Sequence, residues 1–211
     1  MGILAALLEA RSSGKGQVID AAIAEGSASL MSMFHGWQKL GLWRTDRCSN
    51  LLDGAAYFYD VYETADGHHV SVGPLEPKFY ALLVDKAGLD ADQFGEQAPA
   101  DKWPALKQQL AEVFRKRTRQ EWCDLLEGTD ACFAPVLDFT EAPRHPHNRA
   151  RGTYISIDGV EQPAPAPKFG RTTCDKPTAP HAEGADSDAV LHEIGFSDRD
   201  IAALRGAGVL A

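Results

Sequence analysis

The fold is decided by one stretch, Tyr57-Phe58-Tyr59-Asp60-Val61-Tyr62-Glu63-Thr64-Ala65-Asp66-Gly67-His68-His69-Val70-Ser71-Val72-Gly73-Pro74-Leu75-Glu76-Pro77-Lys78-Phe79. Tyr57, Tyr59 and Val61 alternate with Phe58, Asp60 and Tyr62, the period-two pattern of a strand. Ala65-Asp66-Gly67 then turns the chain into His68-His69-Val70-Ser71-Val72, which predicts a hairpin. Pro74 and Pro77 bracket Glu76 and end the second strand. Phe79, Leu82, Leu83 and Leu89 follow at helical spacing, with a stop near Gly88. A hairpin feeding directly into a helix predicts a mixed α and β protein.

Downstream, the polar run Asp90 to Asp101 reads as a connection. Leu106, Leu110, Val113 and Phe114 mark an amphipathic helix whose basic end, Arg115-Lys116-Arg117, suits the helix dipole. Thr118 caps the next helix, where Trp122, Leu125 and Leu126 face inward and Gly128 ends it. Cys132-Phe133-Ala134-Pro135-Val136 is a short apolar strand. A loop rich in Pro, His and Arg runs through Arg151, and a second hairpin from Thr153 to Ile157 turns at Asp158-Gly159. Five of the 12 prolines lie between Pro163 and Pro180, so that stretch reads as an extended strap. Asp186 to Ile194 and Asp198 to Leu204 form two short helices separated by Gly195.

Upstream, Gly2 to Arg11 reads as a helix interior with no N-cap side chain before it, which implies chain ahead of Met1. Ser12-Ser13-Gly14-Lys15-Gly16 breaks it. From Gln17 to Trp37, Val18, Ala22, Ile23, Leu30, Phe34 and Trp37 recur at helical spacing, predicting a long helical segment. Ala21, Ala24, Gly26, Ser27 and Ala28 leave room for another backbone. Gly36 and Gly41 are expected breaks or bends. Three regions follow from this reading: linking helices over 1–50, a small α+β domain over 51–160, and the strap with C-terminal helices over 161–211.

The 211 residues carry 21 Lys and Arg against 30 Asp and Glu, a formal net charge of −9 with histidine neutral. An acidic chain has no electrostatic reason to approach nucleic acid or an anionic membrane, so neither is expected as a partner. The 44% hydrophobic content is ordinary for a globular protein. Cys48, Cys123, Cys132 and Cys174 are scattered without a ligand cluster, so no metal site is expected. The N-terminus lacks a secretory signal and no apolar run reaches the ~18 residues of a transmembrane helix. Reduced thiols in a cytoplasm fit best.

Single reactive residues make weak cases. His145-Pro146-His147 sits in a proline-bounded turn and is read as solvent-facing. His68 and His69 are neighbours on a strand, point to opposite faces and cannot share a ligand. Lone His35 is more often a packed residue than a catalyst, and His181 and His192 carry no signal. Arg115 to Arg119 is read as a solvated helix end. Met31 and Met33, beside Phe34 and Trp37, form either a soft wall for an aliphatic substrate or ordinary core packing. Glu76, fixed between two prolines, either has a raised pKa or orients a neighbouring histidine, or instead caps the helix beginning near Pro77.

Several strings taken together resemble the family III CoA-transferase superfamily of CaiB/BaiF type. They are Gly14-Lys15-Gly16-Gln17-Val18-Ile19-Asp20-Ala21-Ala22, Asn50-Leu51-Leu52-Asp53-Gly54, Tyr59 through Gly67, and Gly73-Pro74-Leu75-Glu76-Pro77-Lys78-Phe79. Ala134-Pro135-Val136, His145 through Arg151, Pro165 through Phe169 and Leu191 through Phe196 extend the resemblance over essentially the whole chain. Within the superfamily the nearest branch is the racemases of 2-methylacyl-CoA thioesters. Cys48, Ala55 and Tyr57 depart from the family pattern, which more often has Gly, Gly and a Pro or His there.

The resemblance implies an α/β fold: a small α+β domain plus linking helices, with the large nucleotide-binding-like half largely missing. It implies a reaction in which the α-proton of an acyl-CoA is removed and returned to either face, by a histidine and an aspartate with donors for the enolate oxygen. Both acid/base residues lie upstream of the family's Gly-x-Gly-Gln string, which here begins at Gly14. The chain is therefore expected to lack them and to be inactive alone. Glu76 matches the glutamate that positions the histidine, and Met31 and Met33 fall on the surface that receives the acyl chain. No separate cofactor is implied, since CoA is part of the substrate. The implied partner is a second subunit in an interlocked homodimer or a companion chain carrying the large domain. The Glu76 motif favours racemase over a CoA-transferase fragment, and a non-catalytic assembly module is the remaining alternative.

Overall fold

The computed structural model describes residues 1–210. The chain divides into two compact units, Met1–Val136 and Leu137–Ala211. In the first, β1 (Asp60–Glu63) and β2 (His69–Val72) form the hairpin and β3 (Phe133–Val136) joins β2, giving an antiparallel sheet in the order β1-β2-β3. Asp60 pairs with Val72 and Glu63 with His69, and β3 lies with Val136 opposite His69 and Phe133 opposite Val72. The turn needs Gly67, whose φ of 74° is in the left-handed region.

One face of the sheet presents Tyr62, Val70 and Val72 to three helices, α4 (Pro77–Ala87), α6 (Trp103–Phe114) and α7 (Arg119–Leu126). Between α4 and α6 the chain forms α5 (Ala91–Phe94), capped by the Asp90 side chain, which accepts from the Asp92 amide at 3.0 Å. This short helix corrects the expectation of a bare connection: burial of Phe94 outweighs the polar character of its neighbours. Tyr62 stacks on Phe114 with ring centres 5.1 Å apart, and Phe114 meets Trp122 edge-on at 5.0 Å. The Trp122 indole donates to the Phe114 carbonyl at 2.9 Å, so the largest core side chain leaves no orphan polar atom. Thr118 and Glu121 form a reciprocal capping box at the start of α7. Tyr57 and Phe58 are buried but lie before the ladder begins at Asp60. The Tyr57 hydroxyl instead bonds that of Tyr80 at 2.8 Å.

The N-terminal region differs most from expectation. α1 (Gly2–Ser13) forms as read, without a side-chain cap, and Gly14 closes it at φ 74°. The single segment from Gln17 to Trp37 does not form. Residues 15–22 are irregular, followed by α2 (Ile23–Leu30) and α3 (Ser32–Lys39), with the break at Met31. No residue of α1, α2 or α3 is buried, so no packing supports the apolar spacing. Gly26, Ser27, Ser29 and Ser32 are poor helix formers, and the Ser32 hydroxyl bonds the Ser29 carbonyl at 2.7 Å across the break. Gly36 lies inside α3 instead of breaking it, while Gly41 turns the chain at φ 71°.

In the second unit, the loop expected through Arg151 contains α8 (Pro146–Arg151), since Pro146 occupies a first-turn position where its missing N–H costs nothing. β4 (Tyr154–Ile157) and β5 (Val160–Pro163) form the second hairpin, turning on Asp158 and Gly159, both with positive φ. Residues 164–182 carry no helix or strand, as the prolines predict. α9 (Ser187–Glu193) and α10 (Asp198–Gly206) are joined by Arg205, whose guanidinium grips Asp188 with contacts of 2.8 and 3.1 Å. Among the described residues no helix is long and apolar enough to cross a membrane.

Candidate functional site

The face of the three-stranded sheet turned away from the helices is open. Val61, Ser71 and Ala134 stand in one row across it, because each is directly opposite the next in the ladder. The following row is Tyr59, Gly73 and Cys132. A Cβ on Gly73 would lie 3.3 Å from the Tyr59 ring, so the absence of a side chain there lets the ring lie against β2. Small residues on the floor and Leu52, Asp53 and Gly54 along one side make a groove of about 630 Å³.

The side wall is held by the Asn50-Leu51-Leu52-Asp53 turn. Asp53 accepts from the Asn50 side chain at 2.7 Å, the Asn50 amide at 2.8 Å and the Ser49 amide at 3.3 Å. Burial pushes the Asp53 carboxyl up, but bonds from Asn50, Ser49 and Ala55 outweigh it and leave the pKa below the ordinary value. Asn50, itself buried, locks the segment before the turn by accepting from the Arg44 amide at 2.7 Å and donating to the Arg44 carbonyl at 3.0 Å. Lys107 of α6 pairs with Asp60 and donates to the Gly54 carbonyl, tying the side wall to β1. Among the described residues no cation lines the groove; of its two acids, Asp53 accepts from amides and Asp60 pairs with Lys107, which lies outside the lining.

Cys132 has φ 50° and an exposed side chain. Burial, then the charges of Glu76 and Asp130, raise its thiol pKa, so at neutral pH it is a protonated thiol and a poor nucleophile. Cys48 also takes a left-handed φ, 51°.

Glu76 sits just past the exit of β2, at the N-cap position of α4 with Pro77 following. Its side chain makes no cap bond, and it is exposed. The backbone beneath it is fixed more firmly than two prolines alone would achieve. The Gln97 side chain donates to both the Pro74 and Leu75 carbonyls at 2.9 Å, and the Leu75 amide reaches the Gly73 carbonyl at 2.9 Å. An outward, uncommitted carboxylate on a rigid stem can accept a hydrogen bond from an incoming group.

The singled-out residues are not gathered in one place. Met31 and Met33 are 44% and 51% exposed at the junction of α2 and α3, beside a cluster in which Phe34 contacts Trp37 and Trp43 at 5.6 and 4.7 Å. Neither methionine nor Glu76 lines the groove. His68 and His69 are both exposed, and His145 and His147 belong to the start of α8. Sequence reading passed over Tyr59, Asp60 with Lys107, and Gln97. The first had a signal, an aromatic residue of the alternating strand set opposite a glycine. The others pair across 47 and 22 or more residues, a relation without local signature.

The model of CoA-transferase family III matches residues 1–186. The chain is 45% identical over 208 residues to the "Alpha-methylacyl-CoA racemase" of Mus musculus, covering 95% of this chain and 53% of that protein. It is 42% identical over 207 residues to the protein of the same name from Homo sapiens, with the same shares covered. The crystal structure of a CaiB/BaiF family protein from Brucella suis superposes with a TM-score of 0.70 at 17% identity, over 92% of this chain and 52% of that one. The chain spans about half the length of the curated relatives it matches.

Proposed function

This chain belongs to CoA-transferase family III, and from that premise we propose that it forms part of an acyl-CoA racemase, exchanging the α-proton of 2-methylacyl-CoA thioesters. The observation that carries the proposal is the 45% identity to a racemase along 95% of the chain.

The chemistry of the groove agrees. Moving a proton from one face of an α-carbon to the other takes two acid/base groups and a stabilised enolate oxygen. Asp53 is saturated by amides and Asp60 is paired with Lys107, so neither carboxylate is poised for that work. No histidine lines the groove. Both acid/base groups therefore come from residues outside this chain's groove, and Glu76 serves as a positioning residue that accepts a hydrogen bond from an incoming imidazole. Its exposure and unused oxygens support that role over helix capping. The cation-free groove, with Leu52, Tyr59, Val61 and Ala134 along it, suits an acyl chain better than the phosphates of CoA. Met31 and Met33 are exposed apolar side chains away from the groove and are proposed, on the resemblance alone, to meet the acyl chain. CoA enters as part of the substrate and no separate cofactor is invoked. Four unpaired cysteines support a reducing compartment, the cytoplasm.

The test is product analysis. This chain, together with the part of the mouse racemase outside the matched stretch, is incubated with a single enantiomer of a 2-methylacyl-CoA in deuterated buffer. Deuterium at the α-carbon with loss of optical purity is expected. Transfer of CoA to an added carboxylate without exchange would replace the racemase reading with a CoA-transferase.

A further inference from the structure

We propose that Tyr59, seated on Gly73, is the specificity-determining side chain of the groove, setting its width so that a methyl-branched acyl chain is held in preference to a straight one. The inference deepens the proposed function and rests on the reading that the groove receives an acyl chain. It starts from a glycine that the backbone does not call for. Gly67, in the turn of the same hairpin, has φ 74° and needs glycine, whereas Gly73 lies outside the left-handed region. All that a Cβ at Gly73 would meet is the Tyr59 ring, at 3.3 and 3.4 Å. That is closer than the ~3.5–4.0 Å of an ordinary carbon contact. The missing side chain is thus a seat for the ring.

The seat matters because of what stands beside it. Along the groove, β2 and β3 with the residues that flank them contribute small side chains, Ser71, Gly73, Cys132 and Ala134. The chain at β1 contributes large ones, Val61 and Tyr59, 49% and 36% exposed. Ser71 spends its hydroxyl on the Ala134 carbonyl at 3.2 Å, so the floor is low and its donor is engaged. β3 lies two strand spacings, roughly 10 Å, from β1. With its ring against Gly73, Tyr59 leaves this breadth clear, and a ring pushed off that seat stands over the floor. A floor of that breadth takes a methyl branch beside the chain, and the branch gains burial that a straight chain does not.

The test uses the chain itself and no catalysis. Cys132, exposed in the groove floor, is alkylated with iodoacetamide at mildly alkaline pH while 2-methyloctanamide or octanamide is titrated in. Protection of Cys132, read by mass spectrometry, gives a Kd for each. These neutral amides stand for the acyl part and carry no charge for Asp53 and Asp60 to repel. The parent is expected to hold the branched amide about 10-fold tighter, the discrimination one methyl group supplies in an apolar site. Gly73→Ala, which lifts the ring, and Tyr59→Trp, which enlarges it, should each bring the two constants within about twofold of one another. Tyr59→Trp alters a partly exposed side chain and answers the question even where Gly73→Ala does not fold. Tyr59→Ala added to Gly73→Ala should raise the preference again, since the ring and the new Cβ act through each other. Protection by both amides without a preference in the parent, or a preference that both single changes leave intact, overturns the proposal and leaves the groove as the acyl site. Protection by neither amide overturns it together with the acyl reading of the groove.

Discussion

At Glu76 the backbone does what a helix start requires while the side chain does not. The residue occupies the N-cap of α4 in extended conformation, yet no amide of the first turn bonds its carboxylate. A capping side chain replaced by alanine costs about 1 kcal/mol. Glu76→Ala should therefore leave the urea midpoint of the chain unchanged, and a loss of about 1 kcal/mol would return the residue to a structural role. Cys48 gives the opposite case. A non-glycine residue in the left-handed region is strained, and Cys48→Gly should stabilise the chain by about 0.5 kcal/mol after the glycine's greater unfolded-state entropy is discounted. Asp53 makes a pH prediction. Its folded pKa lies below the unfolded value near 3.8, so its contribution is present above that pH and is lost as pH falls through the folded value. The parent should exceed Asp53→Asn in stability at pH 7, and the gap should narrow in chemical denaturation below about pH 4.

At the scale of elements, the parts legible in the sequence are those whose signals are local. Asp66-Gly67 and Asp158-Gly159 set hairpin turns, Gly88 stops α4, and Thr118 with Glu121 starts α7. Thr118→Ala should cost about 1 kcal/mol, read as a lowered urea midpoint with an unchanged slope. Elements that depend on a distant or absent partner were misread. Gln17 to Trp37 has the spacing of a packed helix, but no surface in this chain receives it, and serine and glycine propensity splits it at Met31. α8 was hidden because Pro146 reads as part of a proline-bounded turn, although a proline in the first turn starts a helix. The groove was legible only in part. Glu76, outside its lining, stood out between two prolines, but Lys107 joins β1 to α6 beside the groove and Gln97 holds the Glu76 stem, contacts made by tertiary folding.

At the scale of the molecule, buried side chains of the first unit gather between Asn50 and Ala131, while the helices ahead of them carry their apolar residues in water. A chain of 211 residues has length enough for a core of its own. That core draws on the residues between Asn50 and Ala131 and on none of α1, α2 or α3. Within the core region Glu76 is exposed and makes no cap bond, and among the described residues no histidine lines the groove. On the proposed function, this part of the fold holds the acyl chain and steadies one catalytic group.

The most direct test of that account is the rate of α-proton exchange into a 2-methylacyl-CoA in deuterated buffer. It compares this chain with Glu76→Gln, each in complex with the unmatched part of the mouse racemase. The account predicts exchange by the parent complex and a rate about 10- to 100-fold lower for the variant, with KM little changed, as expected when a catalytic group loses its orientation. Equal rates for the two complexes, or full exchange by this chain alone, would contradict it.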